Sequence, residues 1–154
     1  MAIKMFNEAI QSDKNFQEGY VNIGMIYEIL GRHPEAIEAY KNVLLLNPNH
    51  QKALFNLGLV LMDENRFLEA IPPLKQAINL NPKNTDAHFS LGLVYDNLNS
   101  YQEAQNQYRQ VLQIDPKHFG AYEKLALIKQ TLKNETVSAQ KEVSSEEQGI
   151  ILVP

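Results

Sequence analysis

One heptapeptide pattern returns along this chain at a constant spacing of 34 residues. It reads Tyr20-Val-Asn-Ile-Gly-Met-Ile26, then Leu54-Phe-Asn-Leu-Gly-Leu-Val60, His88-Phe-Ser-Leu-Gly-Leu-Val94 and Tyr122-Glu-Lys-Leu-Ala-Leu-Ile128. A fixed period in this range specifies a solenoid or array, in which each unit buries its apolar side only against its neighbours. A single closed core is thereby excluded for the repeated region.

The period divides the chain without insertions. Three complete units, 17–50, 51–84 and 85–118, each read as a helix, a short turn, a second helix and a linker. In the second helix, Ala36, Tyr40 and Val43 return as Ala70, Leu74 and Ala77, and as Ala104, Tyr108 and Val111. Spacings of four and three put such residues on one helical face. Ala2, Phe6 and Ala9 match the same places, so residues 1–16 are expected to be the second helix of a partial repeat. Gly31, Asn65 and Asn99 share one turn position and suit a left-handed helix end. Ser100 is expected to cap the following helix, and Pro34 fits a first turn. Asn47-Pro48, Asn81-Pro82 and Asp115-Pro116 stop the second helices. Pro72 and Pro73 fall inside a second helix and are expected to bend it on its outer face. Residues 119–133 repeat the first-helix pattern with Ala126 in place of glycine and read as a C-terminal capping helix. Residues 134–154 read as an acidic, flexible or frayed tail ending in the apolar tip Ile150–Val153.

Composition removes several function classes. The net charge is −4, and Lys141 against Glu135, Glu142, Glu146 and Glu147 puts most of that excess in the tail. The repeats are nearly neutral and carry no basic face, so nucleic acid is not an expected partner. There is no cysteine, which removes disulfides, thiolate metal sites and cysteine nucleophiles. No apolar run reaches the length of a membrane span. No signal-peptide layout opens the chain, and a cytoplasmic location is expected. His33, His50, His88 and His118 are scattered, and His88 reads as a packed core histidine. No phosphate loop, metal spacing or nucleophile motif is present. No catalysis, metal or cofactor is expected.

The repeated residues resemble the tetratricopeptide repeat family, whose signature is a large residue, Leu, Gly and Tyr in the first helix and Ala, an aromatic, Ala and Pro in the second. The first unit supplies Tyr20, Ile23, Gly24, Tyr27, Ala36, Tyr40, Val43 and Pro48. The second supplies Leu54, Leu57, Gly58, Leu61, Ala70, Leu74, Ala77 and Pro82. The third supplies His88, Leu91, Gly92, Tyr95, Ala104, Tyr108, Val111 and Pro116. The resemblance implies an all-α, right-handed superhelix of helix-turn-helix units whose concave groove is lined by the first helices. It implies a scaffold, because one fold hosts many functions.

The same resemblance points to groove residues. Counted from the start of each unit, the fifth places hold Val21, Phe55 and Phe89, and the ninth Met25, Leu59 and Leu93. Four residues apart, these two places form adjacent apolar columns. The sixth places hold Asn22, Asn56, Ser90 and Lys124, and the last two break the pattern. A carboxamide pairs with both the C=O and N–H of an extended peptide, and the two asparagines resemble the ladder of the protein O-glycosyltransferases. Val21, Asn22, Met25, Phe55, Asn56, Leu59, Phe89, Ser90 and Leu93 are the expected peptide-binding residues. The pattern that clamps carboxylate tails of heat-shock chaperones is not met: Val21, Met25, Asn56, Asp86 and Ser90 occupy its five places, and only Asn56 fits. The expected ligand is therefore an apolar segment of a partner protein, with basic flanks facing Glu18, Glu28, Asp63, Asp86 and Asp96. Two alternatives are self-assembly or autoinhibition, through the terminal half-repeat or the Ile150–Val153 tip, and service as the repeat region of a larger enzyme such as a protein glycosyltransferase.

Overall fold

The computed structural model of the chain describes residues 16–149, all of whose regular structure is helical. The expected partial repeat lies outside those residues, apart from Phe16, and so does the Ile150–Val153 tip. Among the described residues seven helices follow in order: α1 (Phe16–Ile29), α2 (His33–Leu46), α3 (Gln51–Asp63), α4 (Phe67–Leu80), α5 (Thr85–Asn97), α6 (Tyr101–Ile114) and α7 (Phe119–Gly149). They pair as α1–α2, α3–α4 and α5–α6, with α7 packed on α6, so the molecule is an all-α solenoid. First helices touch their successors, α1 against α3 and α3 against α5, while second helices have no comparable contact with one another. The first helices therefore form the inner row.

Turn chemistry explains the pairing. Gly31, Asn65 and Asn99 all have positive φ, between 56° and 68°. At each turn two backbone bonds close the helix: Gly31 N–H to Glu28 C=O with Arg32 N–H to Tyr27 C=O, and their equivalents at Asn65–Arg66 and Asn99–Ser100. This is the double bond pattern that satisfies the last carbonyls of a helix. In the linkers, the side chains of Asn47, Asn81 and Asp115 accept from the N–H two residues on, at 3.0–3.2 Å. The following proline sits inside that small side-chain turn.

The next residue but two then caps the new helix. His50 Nδ1, Asn84 Oδ1 and His118 Nδ1 accept from the N–H of Ala53, Ala87 and Ala121. The shared linker position of the histidines is thus a capping position, filled by asparagine in the middle unit. Ser100, expected to cap α6, occupies the right place, but its side chain makes no capping bond.

Two expectations change. Pro72 and Pro73 lie within an unbroken α4, and Pro73 is buried, so only Pro72 faces outward. The helix expected to end at Lys133 continues to Gly149. Nothing between Lys133 and Gly149 is a proline or glycine, and Glu, Lys, Gln and Ala, which favour helix, are frequent there.

The core is a ladder of one contact per unit. A Cβ added to Gly24, Gly58 or Gly92 would meet the ring of Tyr40, the side chain of Leu74 or the ring of Tyr108 at 2.5 Å. The missing side chain is what lets the second helix lie down on the first. Ala126 takes the glycine's place in α7, where no second helix follows, and it is exposed. His88 is buried with both ring nitrogens engaged, Nδ1 by Gln107 Oε1 and Nε2 by the Pro82 carbonyl.

Candidate functional site, the inner row of first helices

The two apolar columns expected from the sequence separate in the structure. Val21 is fully buried in the core, at 0% exposure. Phe55 and Phe89 are half-buried wedges between units rather than an open column. The Phe89 ring lies 4.8 Å from the His118 ring and 5.6 Å from Tyr108, centroid to centroid. Gly120 lets it close, since a Cβ there would sit 3.2 Å from Phe89 Cζ. Phe55 forms an apolar wall of a polar cleft of about 510 Å³ that includes Glu18, His50, Lys52 and Asn84. The Phe89 side chain thus reaches under the next unit's helix cap. An interaction surface built on Val21 is ruled out by its burial.

The ninth-place column is exposed at its two ends and half-buried between them. Met25 is 37% exposed, Leu59 and Leu93 are half-buried, and Leu127 is 53% exposed. One such residue from each of four successive inner helices forms an apolar stripe along the row. Among the sixth-place residues, Asn22 is exposed, Asn56 half-buried and Ser90 buried. The expected asparagine ladder is therefore two rungs long, and Ser90 is not available to a ligand.

Polar nodes that include Glu28, Asn56 and Asp96, read from the sequence only as groove residues, occupy two junctions. Tyr40 and Tyr108 are fully buried, and neither hydroxyl has a hydrogen-bond partner of good geometry among the described residues. Burial pushes both phenols well above the ordinary tyrosine range. The polar neighbours of the Tyr40 hydroxyl are Glu28 of α1 and Asn56 of α3. Tyr108 has Asp96 of α5 nearby, and Asp96 is paired with Lys124 of α7 at 2.9 Å. Both nodes have one design: an acid at the twelfth place, a tyrosine at the twenty-fourth, and the sixth-place residue of the next unit. At the middle junction these places hold Met62, Leu74 and Ser90, with no charge. Burial raises the Glu28 carboxyl above its ordinary range and Asp63 adds to the rise, while Tyr40 and His33 act the other way. No ion pair reaches Glu28 among the described residues. The 34-residue register applied to places twelve, twenty-four and six was the signal that could have found these nodes.

Likeness to known proteins agrees with this architecture. Residues 18–50 and 85–118 match the family described as Tetratricopeptide repeat, and residues 58–99 match the TPR repeat family. The chain belongs to the tetratricopeptide repeat family.

No curated protein matches the sequence at a significant level. Solved structures do. A crystal structure of MamA is 28% identical with a TM-score of 0.75, covering 99% of this chain and 90% of that one. The first TPR domain of Spaghetti (RPAP3), bound to an HSP90 peptide SRMEEVD, is 26% identical with a TM-score of 0.75, covering 79% and 96% respectively. A MamA from Desulfovibrio magneticus RS-1 is 22% identical with a TM-score of 0.76 and supports the fold alone. Tetratricopeptide repeats are in general non-catalytic interaction modules, and this one is a protein-interaction scaffold. Among the described residues no group of three or more His, Asp or Glu side chains is placed to hold a metal. No described helix is long and apolar enough to cross a membrane.

Proposed function

We propose that this tetratricopeptide repeat protein holds an apolar segment of a partner protein along its inner row of helices. The observation that carries the reading is the stripe of Met25, Leu59, Leu93 and Leu127, one residue per unit, exposed at both ends and half-buried between. Exposed apolar side chains aligned in one strip are characteristic of an interaction surface. Asn22 and Asn56 border the stripe and offer donors and acceptors to a partner's backbone.

The chemistry expected of the ligand differs from that of the RPAP3 relative. The peptide in that complex, SRMEEVD, is acidic. Here the five places of the chaperone-tail clamp hold Val21, Met25, Asn56, Asp86 and Ser90. Glu28 adds a carboxylate with no ion-pair partner among the described residues. An acidic tail meets no cation at those places. An apolar segment with basic residues fits better.

Selection of a displayed random peptide library on the full chain tests this. The parent is expected to enrich peptides rich in apolar residues. Met25→Glu with Leu59→Glu is expected to lower that enrichment by at least about tenfold, since taking one apolar side chain out of such an interface costs roughly 1 kcal/mol or more. Met25 is exposed and Leu59 is not fully buried, so helicity measured by circular dichroism should stay at the parent value. Equal enrichment by the double variant would end the proposal.

One observation favours a second reading, self-association through the α1 edge. Ile26 is 53% exposed, whereas its counterparts Val60, Val94 and Ile128 are 0%, 0% and 1% exposed. Under that reading Ile26→Lys shifts the sedimentation coefficient of the chain to the monomer value. A parent that is already monomeric at high concentration would remove it.

A further inference from the structure

Every second helix in the array is held between two first helices: α2 between α1 and α3, α4 between α3 and α5, α6 between α5 and α7. The first helix α7 has α6 on one side and a bare face on the other. Tyr122 is 54% exposed, whereas Tyr20, Leu54 and His88, at the same place in the earlier units, are 6%, 3% and 6% exposed. Ala126 is exposed too, where Gly24, Gly58 and Gly92 lie against Tyr40, Leu74 and Tyr108 of a second helix. The chain's own continuation does not fill this seat. Helix α7 runs on to Gly149. The residues one period after Ala104, Tyr108 and Val111 are Ser138, Glu142 and Ser145, which puts a charge where each complete unit has a large uncharged side chain.

A matching piece lies at the other end of the sequence. Ala2, Phe6 and Ala9 have the small, large, small pattern of Ala70, Leu74 and Ala77 at the same spacing. Of the first helices in residues 1–154, α1, α3 and α5 have second helices of their own and α7 has none. We propose that residues 1–12 of a second copy of this chain form the second helix on the bare face of α7, with Phe6 laid against Ala126 and Tyr122. This rests on the self-association reading above and names the two surfaces that meet. The register then runs on unbroken: residue 2 of the incoming copy takes the place one period after Ala104, and its α1 follows as the next first helix. The segment cannot reach α7 of its own copy. Only residues 13–15 separate it from α1 at Phe16, a span of at most about 10 Å. Three steps along the inner row, about 8–10 Å each, separate α1 from α7. Because Ala126 has a Cβ where Gly24 and Gly92 have none, the incoming helix sits slightly further out than α2 or α6. Lys129, at the place of Leu61, can lay its stem along the contact and keep its ammonium in water.

Sedimentation velocity of the full chain tests this with two variants that each break one surface, Phe6→Asp the donor and Tyr122→Asp the acceptor. The parent's sedimentation coefficient is expected to rise with concentration up to about 100 µM and to pass the dimer value, because a head-to-tail contact leaves one seat and one segment free at the ends. Each variant alone is expected to stay at the monomer value. An equimolar mixture is expected to reach the dimer value and stop there: the Tyr122→Asp copy supplies the segment, the Phe6→Asp copy supplies α7, and both outer ends are broken. A contact of one patch with itself does not give that pattern. Circular dichroism checks that both variants keep the parent's helicity. Should either lose it, Ala9→Arg repeats the donor arm and Ala126→Arg the acceptor arm. Assembly that persists in both variants, or a mixture that stays monomeric, overturns the pairing and leaves self-association through the α1 edge standing. A parent that is monomeric throughout removes both.

Discussion

Gly92→Ala destabilises this chain by about 2–3 kcal/mol, the outcome expected from overpacking a fixed aromatic ring. The new Cβ would sit 2.5 Å from Tyr108 Cε1, 2.9 Å from Cδ1 and 3.0 Å from Cζ. Tyr108 is fully buried and Phe89 packs on it, so the ring has nowhere to retreat. Replacing a helical glycine with alanine returns up to about 1 kcal/mol of propensity, and the net figure includes that gain. For a chain of this size the melting temperature should fall by roughly 5–10 °C in a calorimetric scan. Gly24→Ala, which meets Tyr40 at the same 2.5 Å, should match it. Gly58→Ala should cost less, because Leu74 can change rotamer where a tyrosine ring cannot. Gly120→Ala is the control: its nearest contact is 3.2 Å, to the edge of Phe89, and the expected change is small. A Gly92→Ala chain that melts with the parent would show that the helix pairs are held apart by something other than this contact.

Pro72→Ala is expected to move stability the other way, by about 1–2 kcal/mol. A proline inside a helix removes a hydrogen bond and crowds the carbonyl four residues back, at a cost of about 3 kcal/mol. Here the carbonyl left without its donor is that of Leu68, and Pro72 itself is exposed. Substitution by alanine restores the donor and leaves no void. Part of the gain is returned, because proline also restricts the unfolded chain, worth roughly 0.4–1 kcal/mol. Pro73→Ala lacks this advantage: Pro73 is buried, and truncating it opens space in the core. The pair therefore forms an internal test. Thermal melts should rank Pro72→Ala above the parent and Pro73→Ala below Pro72→Ala. The reverse order would mean that the exposed proline, not the buried one, is fitted to its surroundings.

The fold was legible because its determinants are local and repeated. Gly31, Asn65 and Asn99 announce a left-handed turn by residue type alone, and the structure places all three there. Glycine opposite a large residue at constant spacing announces close helix pairing, and it is found at Gly24, Gly58 and Gly92. The site was less legible, because exposure depends on the neighbouring unit. Val21, Phe55 and Phe89 share a place with groove residues of related proteins, yet here Val21 is buried and the other two are half-buried. His118 lies over Phe89, and nothing in Phe89 or in its own helix reports that. Ser100 erred in the opposite way: it had the right residue type and position, but its hydroxyl makes no capping bond. The Glu28–Tyr40–Asn56 node was hidden because its three members come from three different helices and two units.

The separation of that node from the glycine contact bears on how such a chain changes through duplication and recombination. The Gly24–Tyr40 contact is internal to one 34-residue module and travels with it. The meeting of Tyr40 with Asn56, like the pairing of Asp96 with Lys124, exists only between a module and its successor. Moving or copying a module carries its own glycine contact along but changes the side chains that meet at both of its new borders. Placing the module that carries Lys124 directly after the one that carries Glu28 would neutralise the acid at once. Reordering alone, without a single point mutation, would then change the charge at that junction.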